Sequence, residues 1–231
     1  MARLCFLLVA ATLVSSAWAI GQGQSSPHRP PPQYGQPPED LANALVQMAR
    51  ASHVPIIAEL VWPLPKIPTA EGKPLSPDTL NNLVKRAPGY EWKMEGKAVH
   101  FYNKKLRQAR FNFLNLKFPR FTIPPDLSDL KLWLPGRAKG LLEGYTGEGG
   151  ATSGFGDTLL GKEKLQRATL ENVTPLEVLV HAANDSPTFY TVLVFPSAAP
   201  TKDEAEKRVV WQWGSLNEKL QPVYAQPPLR K

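Results

Sequence analysis

The sequence predicts an α+β fold of small helix-plus-hairpin units, two helices packed on a mixed sheet, and the return of the pattern in the second half reads either as an internal duplication or as coincidence. Three observations carry this. Between Ser76 and Asn103 a capped apolar stripe is followed by two strand-like runs joined at Glu95-Gly96. Between Thr174 and Trp213 a second capped stripe is again followed by two strand-like runs. Ahead of both, Leu41 to Leu60 reads as a helix running into a strand.

Residues 1–19 have the layout of a secretory signal: Arg3, an apolar run from Leu4 to Val14, and the small-residue site Ala17-Trp18-Ala19. Cleavage after Ala19 is expected, because the apolar run is far shorter than the roughly 20 residues that span a bilayer. The mature chain is then exported, to the periplasm or beyond, and the single cysteine, Cys5, leaves with the signal. That excludes thiol catalysis, thiolate metal sites and disulfides from the mature chain. Losing Arg3 lowers the net charge from +7 to about +6. The basic residues are scattered, with Lys104, Lys105, Arg107 and Arg110 the densest group, as on a solvated face. No nucleic-acid partner is expected, and no later segment is apolar enough to be transmembrane. Residues 20–38, rich in Pro, Gln and Gly, read as a disordered leader in which Pro30-Pro31-Pro32 favours an extended stretch.

A first unit is expected over 39–108. Glu39 or Asp40 caps a helix over Leu41 to Ala51, whose Leu41, Leu45, Met48 and Ala49 fall on one face. His53 sits at its end, where a histidine complements exposed carbonyls. Val54 to Leu60 is a short apolar strand, and five prolines at 63, 65, 68, 74 and 77 make the next segment irregular. Ser76 caps the second helix, with Pro77 at its first position and Leu80, Leu83 and Val84 as its stripe. Pro88-Gly89 ends it, and strands are expected over Tyr90 to Met94 and Lys97 to Tyr102.

Residues 40–103 resemble the short N-terminal domain shared by secretins and TonB-dependent receptors. The run from Leu41 to Ile56 is similar to that family's first helix, small-residue corner and strand. Gly72, Ser76-Pro77 with Leu80 and Leu83, Gly89-Tyr90-Glu91-Trp92 and Ala98-Val99-His100-Phe101 are similar to its second helix and the strands after it. His53 stands where the family usually has glycine, and the proline-rich connection where it often has a short strand. The resemblance implies a periplasmic module used for protein contacts at the cell envelope. The chain after Asn103 is too short, and too poor in repeated alternating strands, for an outer-membrane barrel.

A second α+β unit is expected over 109–220, with a tail at 221–231. Arg110 to Ile123 reads as a strand before Pro119 and a shorter one after it, and Asp126 to Leu134 as a helix stopped by Pro135-Gly136. Six glycines between 144 and 156 make a flexible loop that lacks the context of a phosphate-binding loop. Lys164 to Leu170 reads as a strand. Thr174-Pro175-Leu176-Glu177 is a capping box opening a helix with Leu176, Leu179, Val180 and Ala183. Phe189 to Phe195 is a strand, Ser197 to Lys207 a charged loop, and Arg208 to Trp213 a second strand.

No catalytic, cofactor or metal residues are assigned, since His28, His53, His100 and His181 form no metal-binding pair at helical spacing. A relay of His181, Asp185 and Ser186 fails because residues four and five apart at a helix end do not make one. The candidate binding residues are Trp211 and Trp213, on one side of a strand and suited either to a core or to a glycan platform. The reading that results is a non-enzymatic protein-interaction module with an envelope protein partner. Its alternative is a glycan- or peptidoglycan-binding module using the aromatic hairpins, and a secreted hydrolase ranks last. Buried tryptophans beside a bare sheet edge favour the first reading; an exposed aromatic strip favours the second.

Overall fold

Asp40 is the first residue described in the computed structural model, which covers residues 40–67, 73–144 and 163–217. The signal segment 1–19, the leader 20–38, the loop after Gly144 and the tail 221–231 lie outside the described residues. Asp40 Oδ1 accepts the Asn43 backbone N–H at 2.9 Å and starts helix α1 (Leu41–Ser52). His53 closes it at φ 51°, its N–H bonded to the carbonyls of Ala49 and Arg50. It takes the left-handed cap conformation that glycine adopts most readily. Strand β1 (Ile56–Val61) comes next, then a cis Trp62-Pro63 peptide and the proline-rich connection.

Helix α2 (Pro77–Arg86) has a complete capping box between Ser76 and Thr79 and leads into the hairpin β2 (Tyr90–Glu95) and β3 (Ala98–Asn103). The order helix, strand, connection, helix, strand, strand is therefore the one the sequence predicts. The second half needs more correction. Asn103 caps a short helix α3 (Lys104–Gln108), and a 3-10 turn at Phe113–Asn115 replaces the strand expected before Pro119. Strand β4 (Phe118–Thr122) runs through Pro119. The proline is accommodated because this strand pairs only with β5 (Thr169–Val173) in a two-stranded sheet, where a missing N–H costs no ladder bond on its free side.

Helix α4 (Leu127–Leu142) likewise runs through Pro135-Gly136 rather than stopping there. Leu127, Leu130, Leu134 and Ala138 are all fully buried at spacings of three and four residues. Each buried leucine contributes about 1.5–3 kcal/mol, enough in sum to outweigh one interior proline. Helix α5 (Pro175–Asp185) has its expected capping box, and strand β6 (Phe189–Phe195) is buried throughout. The loop expected over 197–207 contains helix α6 (Lys202–Lys207), opened by a third capping box, Thr201 with Glu204. Strand β7 (Val210–Ser215) is the last described element.

The halves share one sheet in the order β2-β3-β1-β6-β7, where two sequential units at 39–108 and 109–220 were expected to pack together. Six parallel registered pairs, Ile56–Tyr190 to Val61–Phe195, join β1 to β6 across that boundary. The apparent duplication stops at local chain order. In the first hairpin the earlier strand, β2, is outermost; in the second it is the later one, β7. Helix α2 packs with α1 on one face of the sheet, whereas α5 packs with α4 on the other. Ile56, Ala58 and Leu60 of β1 serve the first core and Ile57 the second.

Gly214 of β7 lies opposite Tyr190, and a Cβ added there would fall 2.4 Å from the tyrosine ring. Replacing it with alanine forces that ring out of the sheet face. Gly214→Ala is expected to destabilise the protein by about 1–3 kcal/mol in urea unfolding.

Candidate functional site

The alternation of β7 sends Trp211 and Trp213 to the α4 side of the sheet, where they are 9% and 6% exposed. Their rings stack on each other at 5.3 Å between centroids, and Trp211 stacks on Phe113 at 5.2 Å. Trp211 Nε1 donates to Thr191 Oγ1 at 2.8 Å. The pair thus belongs to the core and is no surface platform.

One edge of the stack is nevertheless open. Phe113, Trp211 and Trp213 floor a small open pocket whose α4 wall is formed by Leu132, Pro135 and Lys139. Two donors on this lining lack acceptors. Trp213 Nε1 is buried and makes no hydrogen bond. The Lys139 ammonium makes no hydrogen bond or ion pair among the described residues, and burial alone pushes it below the ordinary lysine value. Sequence reasoning misses this wall because it ends the helix at Pro135. The signal is present in the spacing Leu130, Leu134, Ala138, which continues without a break through the proline.

A second cluster lies on the same sheet face, on β1 and β3. Glu59 and His100 are fully buried, with His100 Nε2 2.7 Å from Glu59 Oε1. Asn112 Nδ2 donates to Glu59 Oε2 at 2.6 Å and to the Leu106 carbonyl at 3.1 Å, and Arg107 Nη1 stands 3.6 Å from Glu59. His100 Nδ1 has no hydrogen bond and lies 4.0 Å from Glu95. A histidine paired with a carboxylate can serve as a base only if a reacting group reaches its free nitrogen. Here the imidazole is sealed beneath the Tyr102 ring, 4.8 Å away, and the cluster ties β1, β3 and the segment after α3 together. A single acid inside the apolar run Ile56–Val61 is its sequence signal, because a buried charge requires partners.

His181, Asp185 and Ser186 do not assemble into a relay. His181 Nε2 is 3.7 Å from Asp185 and makes no hydrogen bond, while the Ser186 hydroxyl donates to Glu163. Glu163 also accepts from Thr188 and Ser215, so its carboxylate pins β5's approach to the ends of β6 and β7. Among the described residues no group of three or more His, Asp or Glu side chains is placed to hold a metal ion, and no helix is long and apolar enough to cross a membrane.

The edge strand β2 differs in kind. Among the described residues it pairs with β3 alone, and its Met94 is 53% exposed beside the half-buried Trp92. Glu91, Lys93 and Glu95 alternate with them on the opposite face. Comparison with family models, with characterised proteins and with solved structures returned no match to this chain.

Three substitutions test these assignments. Trp211→Ala is expected to lower stability by about 3–5 kcal/mol in chemical denaturation, where loss of an exposed platform residue would cost little. Glu59→Leu strands His100, Arg107 and Asn112 and is expected to cost about 3–5 kcal/mol, and adding His100→Leu is expected to restore part of that loss.

Proposed function

We propose that this chain is an exported cell-envelope protein that works by binding another protein, with no reaction of its own, and that the partner adds an extended segment along β2. The observation that carries this is the unpaired outer edge of β2 with Met94 exposed on it. Backbone groups on a bare edge supply affinity to an added strand, and side chains of alternate residues supply its specificity. On this reading the partner strand places an apolar residue against Met94 and Trp92 on one face. On the other it places basic residues near Glu91 and Glu95.

Four further points support it. The signal-like segment 1–19 argues for export, and the resemblance of residues 40–103 to the secretin and TonB short domain argues for a protein-contact role. Burial of Trp211 and Trp213 weighs against the glycan platform. Diversion of Ser186 to Glu163 weighs against the hydrolase.

A photo-crosslinking residue at position 94 is expected to capture one discrete protein from envelope extract, and the same residue at exposed Leu132 is not. Met94→Asp is expected to weaken binding of the captured partner about tenfold without shifting the thermal melt. Equal capture from both positions, or an unchanged affinity in the variant, rejects strand addition at β2.

A further inference from the structure

The pocket between α4 and β7 has the composition of a small-molecule site and is independent of the β2 edge. Lys131, Pro135 and Lys139 stand four residues apart on α4, so they form one row along the helix, adjacent to the buried row Leu130, Leu134 and Ala138. The wall is therefore apolar with an ammonium at each end. The floor is a stack of three aromatic rings whose planes lie within 25° of their neighbours.

Such a site holds unmet hydrogen-bonding capacity. A donor shut away from water without an acceptor costs roughly 1–3 kcal/mol, and proteins keep very few. This pocket has one such donor on its lining, the indole N–H of Trp213, and its lining also carries the part-buried ammonium of Lys139, which has no protein partner among the described residues. One is neutral and buried, the other cationic and partly buried. Both call for an acceptor, and the cation calls for a negative one. The flat aromatic floor opposite Pro135 calls for a flat apolar body.

We propose that this pocket binds a small organic monoanion, a carboxylate on a planar apolar body, with the body laid against Trp211 and Trp213 and the carboxylate accepting from Lys139 and Trp213 Nε1. The carboxylate replaces water on Lys139 and satisfies an indole that otherwise has no partner. A neutral molecule of the same shape gains the stacking alone.

Calorimetric titration of the full chain with 2-naphthoate, 2-naphthylmethanol and decanoate separates these contributions. Naphthoate is expected to bind at least tenfold more tightly than the alcohol, the factor a charge-assisted hydrogen bond supplies, and more tightly than the flexible decanoate. Lys139→Met is expected to abolish the preference for naphthoate over the alcohol while leaving alcohol binding unchanged, and Lys139→Arg to retain it. Trp213→Phe, which keeps an aromatic floor and deletes the N–H, is expected to weaken naphthoate several-fold. Thermal melts of each variant confirm that it is folded before titration. Absence of saturable heat with either carboxylate overturns the proposal, as does equal affinity of the wild-type protein for naphthoate and the alcohol. A preference that survives Lys139→Met overturns it too.

Discussion

Strand Ile56–Val61 is the constraint on which the rest of the structure depends. It is paired on both sides, parallel to Ala98–Asn103 and to Phe189–Phe195, and packed on both faces. A strand so placed must be apolar on every residue or supply partners for those that are not. It is apolar except at Glu59. That one acid draws His100 from the neighbouring strand, Asn112 from the segment after α3 and the Arg107 guanidinium into a single cluster. The packing of the first half against the second passes through this strand twice, once by its ladder to β6 and once by Glu59.

The two faces of the sheet are finished differently. On one, α1 and α2 cover Ile56, Ala58, Leu60, Phe101 and Val192 with an aliphatic layer. On the other, α4 and α5 cover an aromatic layer in which Phe113, Phe195, Trp211, Trp213 and Phe189 are in mutual contact. Large flat side chains seldom fill a layer without gaps at its margin. The gap here falls where α4 carries Pro135 in place of a longer side chain, and that is where the pocket opens.

The two candidate sites therefore have separate origins. The β2 edge exists because the first hairpin enters the sheet with its second strand inward, which leaves the first strand outermost. The pocket exists because an aromatic core layer meets a helix that carries a proline in its interior. Neither uses the buried histidine cluster, which serves the architecture.

Local chemistry is legible wherever a capping residue and an apolar period agree. Ser76-Pro77 and Thr174-Pro175 place α2 and α5 within a residue of their observed starts, and Asp40 does the same for α1, because a cap satisfies N–H groups that only its own neighbours present. Proline is the weak indicator. At 119 and 135 it suggests a terminator, yet β4 and α4 pass through it, since the leucine row on α4 and the free side of β4 compensate in three dimensions. Alternation assigns Trp211 and Trp213 to one face of a strand, but which face is covered, and by which helix, depends on chain crossovers that no local pattern encodes. By itself the sequence determined the helices α1, α2 and α5, where a cap meets an apolar period, the hairpin after α2 and the α+β class, all products of interactions between near neighbours. Only the tertiary structure decided that both halves share one sheet, that Glu59 meets His100, and that Lys139 and Trp213 border the same space, because each of these joins residues distant in the chain.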